Sequence, residues 1–216
     1  MNRREFSQGA ACMAAAMALG LPGAVFGQAR RPDDGSEYLT LAKRVNVDAP
    51  PGKIEVVDFF WYNCPHCNAF EPSLVAWMKK LPDDVVVKRV PVAFREEMVF
   101  QQRLYYTLEA MNRLDLHGKV FNSIHTEHVP VHQPAFILEW AGKQGLDKAR
   151  FQEIYGSFGV TGKVRRAIEL ADAYKVAAVP ALGVAGRYYT DGDLAQNMDR
   201  ALQVVDYLIA ESRKAR

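Results

Sequence analysis

From Ile54 to Trp61 the chain is apolar everywhere except at Glu55 and Asp58, and the run is rich in β-branched and aromatic residues. Pro50, Pro51 and Gly52 precede it. A short, nearly unbroken run of this kind predicts a strand buried on both faces in the middle of a sheet. After Asn63-Cys64-Pro65-His66-Cys67, residues Phe70, Leu74, Val75, Trp77 and Met78 recur at helical spacing up to Lys80. Pro65 suits the first helical turn, where its missing N–H removes no bond. Val85 to Val92 reads as a neighbouring strand. The opening unit is therefore β–α–β, a parallel strand pair with a right-handed crossover.

From about Glu96 to Lys175 the strand signal disappears. Leu104, Leu108 and Met111 form one helical stripe, Val120, Phe121 and Ile124 a second, and Phe136, Ile137, Trp140 and Ala141 a third. Val164, Ile168 and Ala171 mark the last helix of this block. Strand character returns from Val176 to Val184 and at Arg187-Tyr188-Tyr189. Asp191-Gly192-Asp193 reads as a turn and helix start, and Leu202, Val205, Leu208 and Ile209 as an amphipathic closing helix. The expected organisation is an α/β chain: β–α–β over residues 30–95, a helical insertion over 96–175, and β–β–α over 176–216.

Residues 1–29 break this pattern. Arg3 and Arg4 are followed by an uncharged run from Ser7 to Ala29, with Gly27 and Ala29 at the small positions before Arg30. This reads as a cleaved signal peptide, with an uncut membrane anchor as its rival. Arg3-Arg4-Glu5-Phe6 resembles the core of a twin-arginine signal, so either that route or the general secretory (Sec) one remains open. Cys12 lies inside the segment and is discarded with it.

Composition narrows the function by exclusion. With 49% hydrophobic and 24% charged residues, the bulk is neither disordered nor coiled coil. A net charge of +2, from 27 basic and 25 acidic residues, offers no basic excess for nucleic acid. Three cysteines are too few for a disulfide scaffold in a chain of 216 residues.

Cys64 and Cys67 need a separate explanation. A thiolate where a buried strand meets a helix faces the free N–H groups of the first turn and the positive end of the helix dipole. That lowers its pKa and predicts an exposed, reactive sulfur at Cys64. Cys67, three residues on, is close enough to close a small disulfide ring and is shielded by the helix. Stabilising the Cys64 thiolate favours the dithiol, so the disulfide is easily donated. His66 adds a positive or hydrogen-bonding group beside it. A half zinc site and a plain structural disulfide are the alternatives. The first lacks a second CxxC, with His117, His125, His128 and His132 far along in the helical block, and the second gains little from so short a ring. His125-Thr126-Glu127-His128 reads as a solvated helix end. Asp58 interrupts an apolar strand, where a charge is costly unless paired or useful.

The Cys64-Pro65-His66-Cys67 motif after the Phe59-Phe60 strand, the helical insertion, and Val179-Pro180 ahead of β–β–α together resemble the DsbA family of periplasmic thiol:disulfide oxidoreductases. The resemblance runs from about Tyr38 to Arg213. It implies a thioredoxin-like fold with an inserted helical subdomain. Cys64 is then the nucleophile, Cys67 the resolving cysteine, and Pro180 a cis-proline facing their disulfide, with the Val179 backbone left to pair with an extended client. Asp58, Glu71 and Lys88 match the charged cluster that such proteins place beneath the site. One departure is Val90, where family members can carry a histidine two residues after the lysine. The implied activity is that of a monomeric dithiol oxidase acting on reduced exported proteins in the periplasm. It needs no cofactor and no metal, and a DsbB-like quinone-linked membrane oxidase regenerates it. A disulfide isomerase or reductase on the same fold is the alternative. Isomerases usually add a dimerisation domain, for which Arg30 to about Arg44 leaves no room. A non-catalytic peptide- or metal-binding module is a further alternative, and the paired cysteines argue against it.

Overall fold

The computed structural model describes residues 30–215. The expected leader, with Cys12, lies outside the described residues. Among the described residues, five strands make one mixed sheet: β1 (Leu39–Thr40), β2 (Ile54–Phe60), β3 (Val85–Pro91), β4 (Ala181–Val184) and β5 (Tyr188–Asp191), in the order β1-β5-β4-β2-β3. β2 and β3 run parallel and are joined by helix α1 (Pro65–Met78), while the other three pairings are antiparallel. Every residue of β2 is buried, as expected of a strand paired on both edges.

Between β3 and β4 the chain forms α2 (Val99–Ala110), α3 (His117–His125), α4 (Pro134–Lys143), α5 (Lys148–Tyr155) and α6 (Phe158–Tyr174). Helix α7 (Met198–Lys214) closes the chain, with Asn197 accepting a hydrogen bond from the Arg200 N–H at its start. Strand alternation explains the two apolar clusters. Ile54 and Val56 pack with Phe70 and Leu74 of α1 and Val205 and Leu208 of α7. Val57 and Phe59 point the other way, into a cluster with Leu104, Trp140 and Phe151 of the helical block. Tyr174 is fully buried, with its ring centroid 5.2 Å from that of Phe59. A Cβ at Gly183 would lie 2.4 Å from the Tyr174 ring, so only glycine fits there.

Three elements differ from the sequence reading. β1 was not expected, since two exposed residues carry no periodic signal; it is held by pairing Leu39 with Tyr189 and Thr40 with Tyr188. The strand expected from Val176 shrinks to Ala181–Val184: α6 ends in left-handed Lys175 (φ 57°), and the chain then turns through a loop that includes the cis Val179–Pro180 peptide. Helix α7 begins at Met198 rather than in the Asp191-Gly192-Asp193 turn, where the Asp191 carboxylate accepts from the N–H groups of Asp193 and Leu194.

Candidate active site

Strand β2 delivers the chain to a turn at Trp61-Tyr62-Asn63, closed by a 3.0 Å hydrogen bond from the Cys64 N–H to the Trp61 carbonyl. Cys64 is the N-cap of α1, with extended backbone (φ −83°, ψ 117°), and Pro65 occupies the first helical position. The Cys64 side chain therefore sits where the first-turn N–H groups are unsatisfied by the helix. His66 is exposed and Cys67 is buried behind it. Both cysteines are free thiols.

The two sulfurs are electrostatically unlike. A hydrogen bond from the Cys67 thiol, above all, lowers the Cys64 pKa to about 6. Burial opposes this, while the backbone N–H groups of Cys67 and His66 and the charge of His66 assist it. Cys67 moves the opposite way: burial raises it first, then its bond to Cys64 and the nearby charge of Asp58. Cys64 is not the openly exposed sulfur expected from sequence. It keeps 7% of its surface, against 3% for Cys67, because the cis-proline loop leans over it. The Cys64 Sγ donates to the Val179 carbonyl at 3.4 Å. Beside this contact opens a groove of about 620 Å³, walled by Phe70 and Ser73 of α1, by Val179 and Pro180, and by Met198 at the start of α7.

Beneath the pair lies a polar cluster. Asp58 is 1% exposed, and burial raises its carboxyl to about 7, with Arg89 pulling it down and Glu71 pushing it up. Arg89 Nη1 stands 3.6 Å from Asp58 Oδ2, which accepts no hydrogen bond among the described residues. The guanidinium instead grips Glu71 through two bonds, of 2.6 and 2.9 Å. Burial works against the Glu71 charge, but the two-bond grip of Arg89 holds its carboxyl below the usual range.

Lys88 is not part of this cluster. It pairs with Asp48, and its neighbour Arg89 supplies the cation. The reason is strand parity: β2 and β3 pair with Asp58 opposite Arg89 and Val57 opposite Lys88, so adjacent residues face opposite sides. Val90 is a fully buried core residue, and the position two beyond the cation is Pro91.

Sequence reasoning also missed Tyr62, His117 and His125. His117, far away in sequence, approaches Arg89 Nη1 at 2.6 Å and the Tyr62 hydroxyl at 2.8 Å. His125 was expected at a solvated helix end, yet its Nε2 donates to the Tyr62 carbonyl at 2.8 Å; its neighbour His128 is exposed. The spacing 117, 121, 125 is a helical stripe with histidine at both ends, and that was the available signal.

Residues 55–203 match the family model of the DSBA-like thioredoxin domain. A Bordetella parapertussis protein named thiol:disulfide interchange protein DsbA is 46% identical over 191 residues, covering 88% of this chain and 91% of that one. The crystal structure of Pseudomonas aeruginosa DsbA is similar with a TM-score of 0.79 at 41% identity, over 84% of this chain and 94% of that one. The Xylella fastidiosa oxidoreductase DsbA has the same TM-score at 27% identity, over 86% of this chain and all of its own.

Proposed function

The chain belongs to the DSBA-like thioredoxin domain family and is a thiol:disulfide oxidoreductase, and from that premise we propose that Cys64 and Cys67 are the pair through which it oxidises client dithiols. The asymmetry of two sulfurs on one helical turn supports this reading most strongly: one is stabilised as a thiolate, the other held as a thiol.

A client thiolate attacks Cys64 Sγ of the disulfide. The Cys64–Cys67 bond breaks, a client–Cys64 bond forms, and Cys67 leaves with the electron pair. In this reading Asp58, whose carboxyl titrates at about 7 and whose charge reaches Cys67, returns a proton to that buried sulfur. The client's second thiolate then attacks its own sulfur in the mixed disulfide. Cys64 departs as the stabilised thiolate, and the client keeps the disulfide. The client has lost two electrons and the protein has gained two. Val179 and Pro180 border the groove in which an extended client segment lies beside Cys64. Glu71 and Arg89 hold the charge environment of Asp58.

In this reading residues 30–95 and 176–216 form the thioredoxin-like part, 96–175 the helical insertion, and 1–29 a signal peptide removed on export to the periplasm. The protein acts as a monomer and is reoxidised by a DsbB-like quinone-linked membrane oxidase. Trapping tests the assignment of the sulfurs. Cys64→Ser abolishes oxidation of reduced clients, and Cys67→Ser accumulates client mixed disulfides through Cys64. Clients recovered on Cys67 of the Cys64→Ser protein overturn it.

A further inference from the structure

Tyr62 lies two residues before Cys64, inside the turn that aims the reacting sulfur. It is 1% exposed, and both of its polar ends are held by one helix. The hydroxyl meets His117 Nδ1 at 2.8 Å, and the carbonyl accepts from His125 Nε2 at 2.8 Å. The two histidines are eight residues apart on α3, with Phe121 between them packed against the Tyr62 ring at 5.1 Å and stacked on His125 at 6.2 Å.

The partners fix which nitrogen carries each proton. Arg89 has only donors, so at 2.6 Å His117 Nε2 must accept from it. Glu71 stands 3.6 Å from the same nitrogen, too far for a competing hydrogen bond. His117 is therefore neutral, protonated on Nδ1, and donates to the Tyr62 hydroxyl. His125 faces a carbonyl, which only accepts, and so is protonated on Nε2.

We infer that His117 and His125 are positioning residues for Cys64: they clamp Tyr62 at both ends and hold the turn in the orientation that brings the first-turn N–H groups onto the sulfur. The clamp acts unequally on the two redox forms. In the disulfide, Cys64 Sγ is fixed covalently by Cys67. In the dithiol, the thiolate depends on the turn for its alignment. Loosening the turn therefore destabilises the reduced form more and makes the protein a weaker oxidant. This also assigns α3 of the helical insertion a part in tuning the sulfur, and it rests on the reading of Cys64 as the reacting residue.

The test is the equilibrium constant for oxidation of glutathione by the full chain, with the Cys64 thiolate titration beside it. His125→Phe keeps a ring to stack on Phe121 and removes the donor; His125→Gln keeps a donor near Nε2; Tyr62→Phe removes the hydroxyl. His125→Phe and Tyr62→Phe each lower the constant roughly threefold to tenfold, the weight of one net hydrogen bond, and raise the Cys64 pKa. His125→Gln recovers most of the loss. A merely structural role weakens both redox forms alike and leaves the constant unchanged, and that result overturns the inference. Should a variant fail to fold, nitrogen NMR of the unaltered protein decides: His117 protonated on Nδ1 and His125 on Nε2 agree with the clamp, and His117 protonated on Nε2 contradicts it. A reducing constant for the unaltered protein strikes at the oxidase reading itself, whereas an oxidising one with unchanged variants strikes only at the histidines.

Discussion

Asp58 and Arg89 face each other across the parallel β2–β3 pair with Oδ2 and Nη1 3.6 Å apart, and among the described residues no hydrogen bond completes Oδ2. The cation is close enough to moderate the buried carboxylate and too far to satisfy it. The folded carboxyl accordingly titrates at about 7, above its ordinary 3.8. A raised carboxyl favours folding fully below 3.8, and that contribution is lost as pH rises through about 7. Asp58→Asn should therefore stabilise the reduced protein at pH 8, by on the order of 2 kcal/mol, with little gain at pH 4. Urea unfolding at the two pH values measures this.

Removing the cation has the opposite effect. Arg89→Met leaves the buried carboxylates of Asp58 and Glu71 without their common partner, at a cost of roughly 3–5 kcal/mol. Lys88→Met breaks only a surface pair with Asp48 and costs about 1 kcal/mol or less. Equal losses for the two variants in urea unfolding contradict the placement of Arg89 in the cluster.

The mistake of one residue between these two shows where sequence stops being informative. β2, α1 and the cysteine pair are visible because their signal is local: an apolar run, a proline at a helix start, a spacing of three. Whether Lys88 or Arg89 meets Asp58 depends on the β2–β3 register, which links residues 31 apart and is set by packing of the whole sheet. His117 and His125 carry no local mark of their role either, since their partner Tyr62 is brought to them by the fold. The Val179–Pro180 turn was legible by resemblance, while the shortness of β4 behind it depends on how α6 ends at Lys175.

A third expectation concerns redox-linked stability. Reduced Cys64 titrates at about 6, below its ordinary 9.0. A depressed thiol stabilises the folded dithiol fully above the ordinary value, and the contribution is lost as pH falls through about 6. The disulfide has no such group. The reduced protein should therefore gain stability relative to the oxidised one as pH rises from 5 to 8, by roughly 1–3 kcal/mol. Paired guanidinium unfolding of the two forms at both pH values checks the difference.

The unequal chemistry of the two sulfurs is read most directly by alkylation of the reduced protein with iodoacetamide across pH, with each modified cysteine located by mass spectrometry. The account predicts that Cys64 alone is modified under native conditions, with a rate that rises through a midpoint near 6, while Cys67 remains a thiol. Modification of Cys67 first, or of both cysteines with an ordinary thiol midpoint, contradicts it.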